Sequence, residues 1–134
     1  MVSLRQAIDD EVGRKGFSGV IRIDRSGGTE FAEAYGLADR RHGIANTMDT
    51  RFALASGAKG LTALTVMSLI EDGYRYGLGF WLHPSSDVVL LEGSDAGVSF
   101  QTAHDPLSTS TFTVISNTSE GAWPIAELLA ERLA

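Results

Sequence analysis

A chain of 134 residues with a formal charge of −6 and no cysteine is limited in what it can be. One domain of that length can bury roughly two-thirds of its unfolded surface, and its acidic balance argues against nucleic acid or an anionic membrane as partner. The missing cysteines remove disulfides, thiolate metal sites and cysteine nucleophiles together, and they fit a cytoplasmic protein.

In chain order, "MVSLRQAIDDEVGRKGF" lacks the apolar core of a signal peptide. Residues 3–15 instead predict an amphipathic helix, with Leu4, Ala7, Ile8 and Val12 on one face and Gly16 past its end. "FSGVIRID" (17–24) and "TEFAEAYG" (29–36) flank the turn "RSGG" and predict a β-hairpin. Residues 37–53 are polar and read as a long irregular connection. A helix is expected from Ser56 to Asp72, closed by Gly73. Strands follow at 76–83, 87–93, 97–106 and 109–118, joined by short turns that favour antiparallel pairing. "EGAWPIAELLAERLA" ends the chain as a helix, with Pro124 in its first turn. The expected fold is a single α+β domain over 1–134: an antiparallel β-sheet with the N- and C-terminal helices on one face and the helix of Ser56 on the other. No apolar stretch approaches the ~20 residues that span a bilayer, so no membrane partner is expected.

Ser56-Gly57-Ala58-Lys59 places a hydroxyl and an amine one helical turn apart. Serine is a weak nucleophile until a base takes its proton, and a neutral lysine can do so. A helix start would also favour negative charge developing at Ser56. With thirteen serines and two lysines in the chain, the pattern alone carries little. A helix N-cap at Ser56 beside a solvated Lys59 fits the same spacing.

The surrounding residues add context. "FSGVIRIDRSGGTEFAEAYGLADRRHGIANTMDTRFALASGAKGLTALTVMSLIEDG" resembles the start of the serine β-lactamase and penicillin-binding protein superfamily, in its class C β-lactamase, DD-peptidase and esterase branch. That branch carries a Y-G-x-A turn after a hairpin, then R-F-x-x-A-S-x-x-K. Here these stand as Tyr35-Gly36-Leu37-Ala38 and Arg51-Phe52-Ala53-Leu54-Ala55-Ser56-Gly57-Ala58-Lys59. "YGLGFWLH", "LEGSDAGVSF" and "FTVISNTSEGAW" resemble the family's C-terminal strands.

The resemblance implies Ser56 as nucleophile and Lys59 as base, acting on a β-lactam or ester without a cofactor. It also implies an oxyanion hole from the backbone N–H groups of Ser56 and Ser94. Departures accompany it. Members insert a helical domain where this chain has only the 73–75 link, so that domain and the second motif within it are missing. Tyr74 and Tyr76 do not restore the motif, and Ser116-Asn117-Thr118 reads as structural. The third motif, usually Lys-Thr-Gly or His-x-Gly, is matched by Leu91-Glu92-Gly93. Activity through Ser56 is therefore expected to be weak or absent, and the rival expectation is a non-catalytic, self-associating domain.

Self-association follows from the 61–70 helix face, apolar nearly all round. Without a covering domain it would leave a patch that a monomer tolerates poorly. A helix of ~17 residues is about 25 Å long, while the 73–75 link reaches only about 10 Å. A homodimer is expected, with strand exchange as one form of it. Elsewhere, His104-Asp105 with Ser56 is a weak triad candidate, because Asp105-Pro106 is a turn former. His42 and His83 read as surface residues, and scattered histidines predict no metal site. Glu92 and Asp95 read as solvated turn carboxylates, and Trp81 and Trp123 as core or interface residues.

Overall fold

A computed structural model describes residues 2–67, 81–82 and 87–133. Helix α1 (Leu4–Lys15) begins where the Ser3 side chain accepts the Gln6 N–H and ends at Gly16, whose φ of 61° is the left-handed conformation glycine adopts without strain. Strands β1 (Gly19–Arg25) and β2 (Gly28–Tyr35) pair up to Arg25 opposite Gly28. Ser26 and Gly27, at φ 51° and 79°, form the two-residue turn whose twist matches a hairpin. The connection after β2 is less irregular than its composition predicts, because β3 (Leu37–Asp39) and β4 (Ile44–Ala45) pair within it.

Helix α2 (Ala58–Met67) follows a 3₁₀ turn at Ala55–Gly57, and the expected helix beyond Met67 lies outside the described residues. So do the 73–75 link, Tyr74, Tyr76, His83 and most of the 76–83 strand, of which β5 (Trp81–Leu82) is described. The chain continues through β6 (Val89–Asp95), β7 (Val98–Asp105), β8 (Ser110–Ser116) and helix α3 (Ala122–Leu133).

These strands build one antiparallel sheet in the order β2-β1-β8-β7-β6-β5. The N-terminal hairpin thus lies against the last strand, with Ile21 opposite Val114. Alternation sorts the side chains between two faces. On one, Ile21, Ile23, Phe112 and Val114 meet Ile8 of α1 and Ile125, Ala126 and Leu129 of α3 in the main core. On the other, Leu91, Phe100 and Ile115 form a smaller cluster with Val20, Phe52 and Leu54. This is the expected α+β arrangement, with the Ser56 segment opposite the terminal helices.

Hydrogen bonds tie the layers at the end of the sheet that serves the site. Buried Ser99 accepts the Ala122 N–H at the start of α3. Pro124 lies within the first turn of α3, where no intrahelical N–H is lost. Ser116 Oγ donates to Ser18 O at 2.7 Å, and Asn46 Nδ2 donates to Tyr35 O at 2.7 Å. Asn117 Nδ2 donates to Leu37 O, so the Ser116-Asn117 pair is structural, as its place in the last strand predicts.

Leu129 is fully buried, whereas Leu107 is 81% exposed. Leu129→Ala is expected to cost about 2–5 kcal/mol by urea denaturation, against less than about 0.5 for Leu107→Ala. Equal midpoints for the two variants would mean α3 is not packed as described.

Candidate active site

The segment leading to Ser56 is held before any helix begins. Thr50 Oγ1 accepts the Thr47 N–H at 2.8 Å, and Thr50 N–H donates to Thr47 O. Phe52 and Leu54 then drop into the smaller apolar cluster. Ala55 turns the chain with φ 46°, a left-handed conformation that costs an L-residue roughly 1–2 kcal/mol. The Gly57 N–H closes the turn on Leu54 O at 2.9 Å.

Ser56 sits in this 3₁₀ turn and not at a helix N-cap, since its Oγ caps no backbone N–H. Instead Lys59 Nζ donates to Ser56 Oγ at 3.1 Å. Both side chains are exposed. The hydroxyl and amine of the four-residue motif therefore meet directly.

The turn rests on glycine. A Cβ at Gly93 would lie 2.2 Å from Leu54 O, 2.6 Å from Gly57 N and 2.9 Å from Ser56 N. Only a bare backbone lets β6 come that close. On the turn's side, a Cβ at Gly57 would meet the Phe100 ring at 2.7 Å. Leu91, two residues before Gly93 on the same strand face, is 6% exposed and fills the floor with Phe100 and Ile115. Glu92 points to the opposite face, where Gln101 Nε2 donates to it at 3.3 Å. Ser94 follows Gly93 in β6, and the described residues of β5, Trp81 and Leu82, pair with Leu90 and Val89. Asp95 ends the strand, exposed, with Oδ1 accepting the Ala96 N–H.

Strain at Ala55 left no mark in the sequence, because alanine does not announce a positive φ. Its position immediately before Ser56 is where strained backbone is commonly found in functional sites. Ala55→Gly is expected to stabilise the fold by about 0.5–1 kcal/mol if relief of strain outweighs the added chain entropy. A lower melting temperature for this variant would contradict the strained geometry.

The remaining candidates lie elsewhere. His104 Nδ1 bonds Thr111 Oγ1 at 2.9 Å, and His104 is four residues along β7 from Phe100, about 13 Å. Asp105 accepts from Ser108 Oγ at 2.6 Å and from Leu107 N–H at 2.9 Å, so it organises a turn and no triad. His42 is exposed and bonds Asp39 Oδ2. Trp123 packs at the margin of the main core.

The hydrogen bond from Ser108, followed by that from Leu107, lowers the pKa of Asp105. A depressed carboxylate stabilises the fold above its unfolded pKa of about 3.9 and loses that contribution as pH falls through the folded value. Melting temperature should therefore drop below about pH 4, less steeply in Asp105→Asn. Identical acid profiles would exclude the turn from the effect.

The beta-lactamase family model matches residues 4–78, which take in the N-terminal hairpin, the connection and the Ser56–Lys59 pair. The chain belongs to the beta-lactamase family. It is 36% identical over 72 residues to a putative penicillin-binding protein, PbpX, of Bacillus subtilis (strain 168), an alignment covering 54% of this chain. The chain matches only 18% of that protein's length. Among solved structures, the penicillin binding protein from Bacillus halodurans is similar with a TM-score of 0.74, over 100% of both chains at 12% identity. That likeness concerns the fold alone, and it covers β6–β8 and α3, which lie beyond the family-model match. No described helix of this beta-lactamase-family chain is long and apolar enough to cross a membrane.

Proposed function

We propose that this beta-lactamase-family chain is a reduced serine acyl-transfer core, with Ser56 as nucleophile and Lys59 as its base. The observation that carries the reading is the 3.1 Å contact between Lys59 Nζ and Ser56 Oγ on a turn seated against Gly93. With the amine neutral, the Ser56 hydroxyl proton passes to Lys59 as Oγ attacks the carbonyl carbon of a β-lactam or ester. The carbonyl π electrons move onto oxygen, where the N–H groups of Ser56 and Ser94 serve as donors. Collapse of that intermediate expels the leaving group, which takes the proton back from Lys59 and leaves an acyl-enzyme on Ser56.

Turnover is expected to be slow. Leu91 stands where the family's third motif has a lysine or histidine, and a buried leucine neither holds a carboxylate nor moves a proton. The helical domain with the second motif is absent from this chain, on our reading of the 73–75 link. Each missing acid–base group is worth typically ~10²–10⁴-fold.

Incubation with benzylpenicillin and, separately, a fluorophosphonate, followed by intact-mass spectrometry, tests the reading. One adduct that disappears in Ser56→Ala supports it, and no adduct with either reagent rejects it. The second reading, a non-catalytic self-associating domain, is favoured by the exposure of both Ser56 and Lys59. The half-exposed Leu61 at the start of the 61–70 face supports a homodimer in either case, swapped or not. Sedimentation that stays monomeric well above micromolar concentration would remove the dimer.

A further inference from the structure

We propose that an acyl group placed on Ser56 migrates to Lys59, so that the chain ends with a stable amide on its own lysine. Lys59 is then a self-acylation site, and the chain takes up one acyl equivalent from an activated ester. The migration rests on the acyl-transfer reading above.

Proximity carries it. Lys59 Nζ lies 3.1 Å from Ser56 Oγ. The carbonyl carbon of an acyl-serine is bonded to that oxygen, so rotation about the Cβ–Oγ bond brings it within the about 3–3.5 Å of a near-attack geometry. Acylation by this pair returns the proton to the leaving group and leaves the amine neutral, with its lone pair free. Among the described residues, Ser56 Oγ is the hydrogen-bond partner of Nζ, and no carboxylate forms an ion pair with it. Both side chains are exposed, which leaves room for a tetrahedral intermediate between them.

The step balances within the chain. The Nζ lone pair attacks the ester carbonyl carbon, and the carbonyl π electrons move onto oxygen. As they return, the C–Oγ bond breaks, the new N–C bond stays, and one amine proton passes to Ser56 Oγ. The products are a free serine and an acyl-lysine, an amide more stable than the ester it replaces. Water competes for the same carbonyl but needs a base. Thr62 Oγ1, one turn beyond Lys59, already donates to Ala58 O at 3.1 Å. Glu92 meets Gln101 on the opposite face of the sheet, and Asp95 accepts the Ala96 N–H. The base assigned on this reading is Lys59 itself, an amine that attacks esters directly. A group held this close acts at an effective molarity of up to about 10⁵–10⁸ M, which favours transfer over hydrolysis.

Lys15 supplies an internal reference, since the chain has two lysines and both are exposed. The test is a timed incubation with p-nitrophenyl acetate, then neutral hydroxylamine, which removes an ester and spares an amide, then peptide mapping by mass. A hydroxylamine-labile acetyl is expected first at Ser56. A resistant acetyl should follow at Lys59, at least about tenfold faster than at Lys15. In Ser56→Ala the Lys59 rate should fall to that of Lys15, and Ser56→Cys should restore it through a thioester. Equal Lys59 rates in the parent and Ser56→Ala would mean direct acetylation and overturn the migration. Fluorophosphonate labelling reads the underlying activity separately. A Ser56 that labels while Lys59 gains no resistant acetyl overturns the migration and leaves acyl transfer standing. With neither labelling nor an ester at Ser56, both fall.

Discussion

Lys59→Met is expected to slow acylation of Ser56 by roughly 10²–10⁴-fold, the usual contribution of a positioned general base. The 3.1 Å contact is short enough for a proton to move between Nζ and Oγ without rearrangement. Methionine keeps the apolar stem of lysine and removes the amine that contacts Ser56 Oγ. Because both side chains are exposed, their hydrogen bond contributes little to folding, and the variant should melt within about 0.5 kcal/mol of the parent. A kinetic loss without a stability loss would separate a base from a scaffold residue. The measurement is the pseudo-first-order rate of fluorophosphonate labelling, followed by intact mass, with Ser56→Ala as the zero. Equal rates for the parent and Lys59→Met would show that the lysine is not the base.

Gly93→Ala should damage both the fold and the site. The added Cβ would lie 2.2 Å from Leu54 O and 2.6 Å from Gly57 N, both backbone atoms that cannot swing aside as a side chain can. Either β6 moves off the turn or the turn moves off β6. Overpacking of this kind costs typically 1–3 kcal/mol, and here the displaced atoms include the Ser56 N–H itself. Labelling of Ser56 should fall by at least about tenfold even at temperatures where the variant is fully folded, since a 1 Å displacement of reacting groups can cost about 10²-fold. Gly57→Ala makes the informative comparison, because its Cβ meets the edge of the Phe100 ring, which has some freedom to give. That variant should lose less stability than Gly93→Ala. A Gly93→Ala protein that melts and labels like the parent would show that β6 does not rest against the turn.

Much of this protein is decided within short stretches of chain. The period of apolar residues in 3–15, the Ser3 cap and Gly16 specify α1. Alternation on either side of Ser26-Gly27 specifies the first hairpin. Ser56 and Lys59 lie three residues apart, so any helical turn across them brings hydroxyl and amine together, which is why the candidate chemistry was legible before the fold. The terminal helices and the antiparallel character of the sheet follow from similar local signals and short connections.

What those signals could not supply depends on contacts between distant residues. No local feature places β1 beside β8; that neighbourhood arises because Ile21, Val114, Ile125 and Leu129 bury one another across the length of the chain. The β3–β4 pairing hides in a polar segment whose composition resembles a loop. Ala55 takes its left-handed conformation where Leu54 packs, partly buried, on the smaller cluster on one side of it and the turn is pressed on Gly93 on the other. Gly93 reads in the sequence as the end of a degraded motif, yet its missing side chain is what seats Ser56. The sequence by itself determined the elements and the Ser–Lys pair, since both are set by spacing along one chain segment. The tertiary structure alone decided the sheet order and the strained approach to Ser56, because each is made by segments that meet only when the two faces of the sheet are packed.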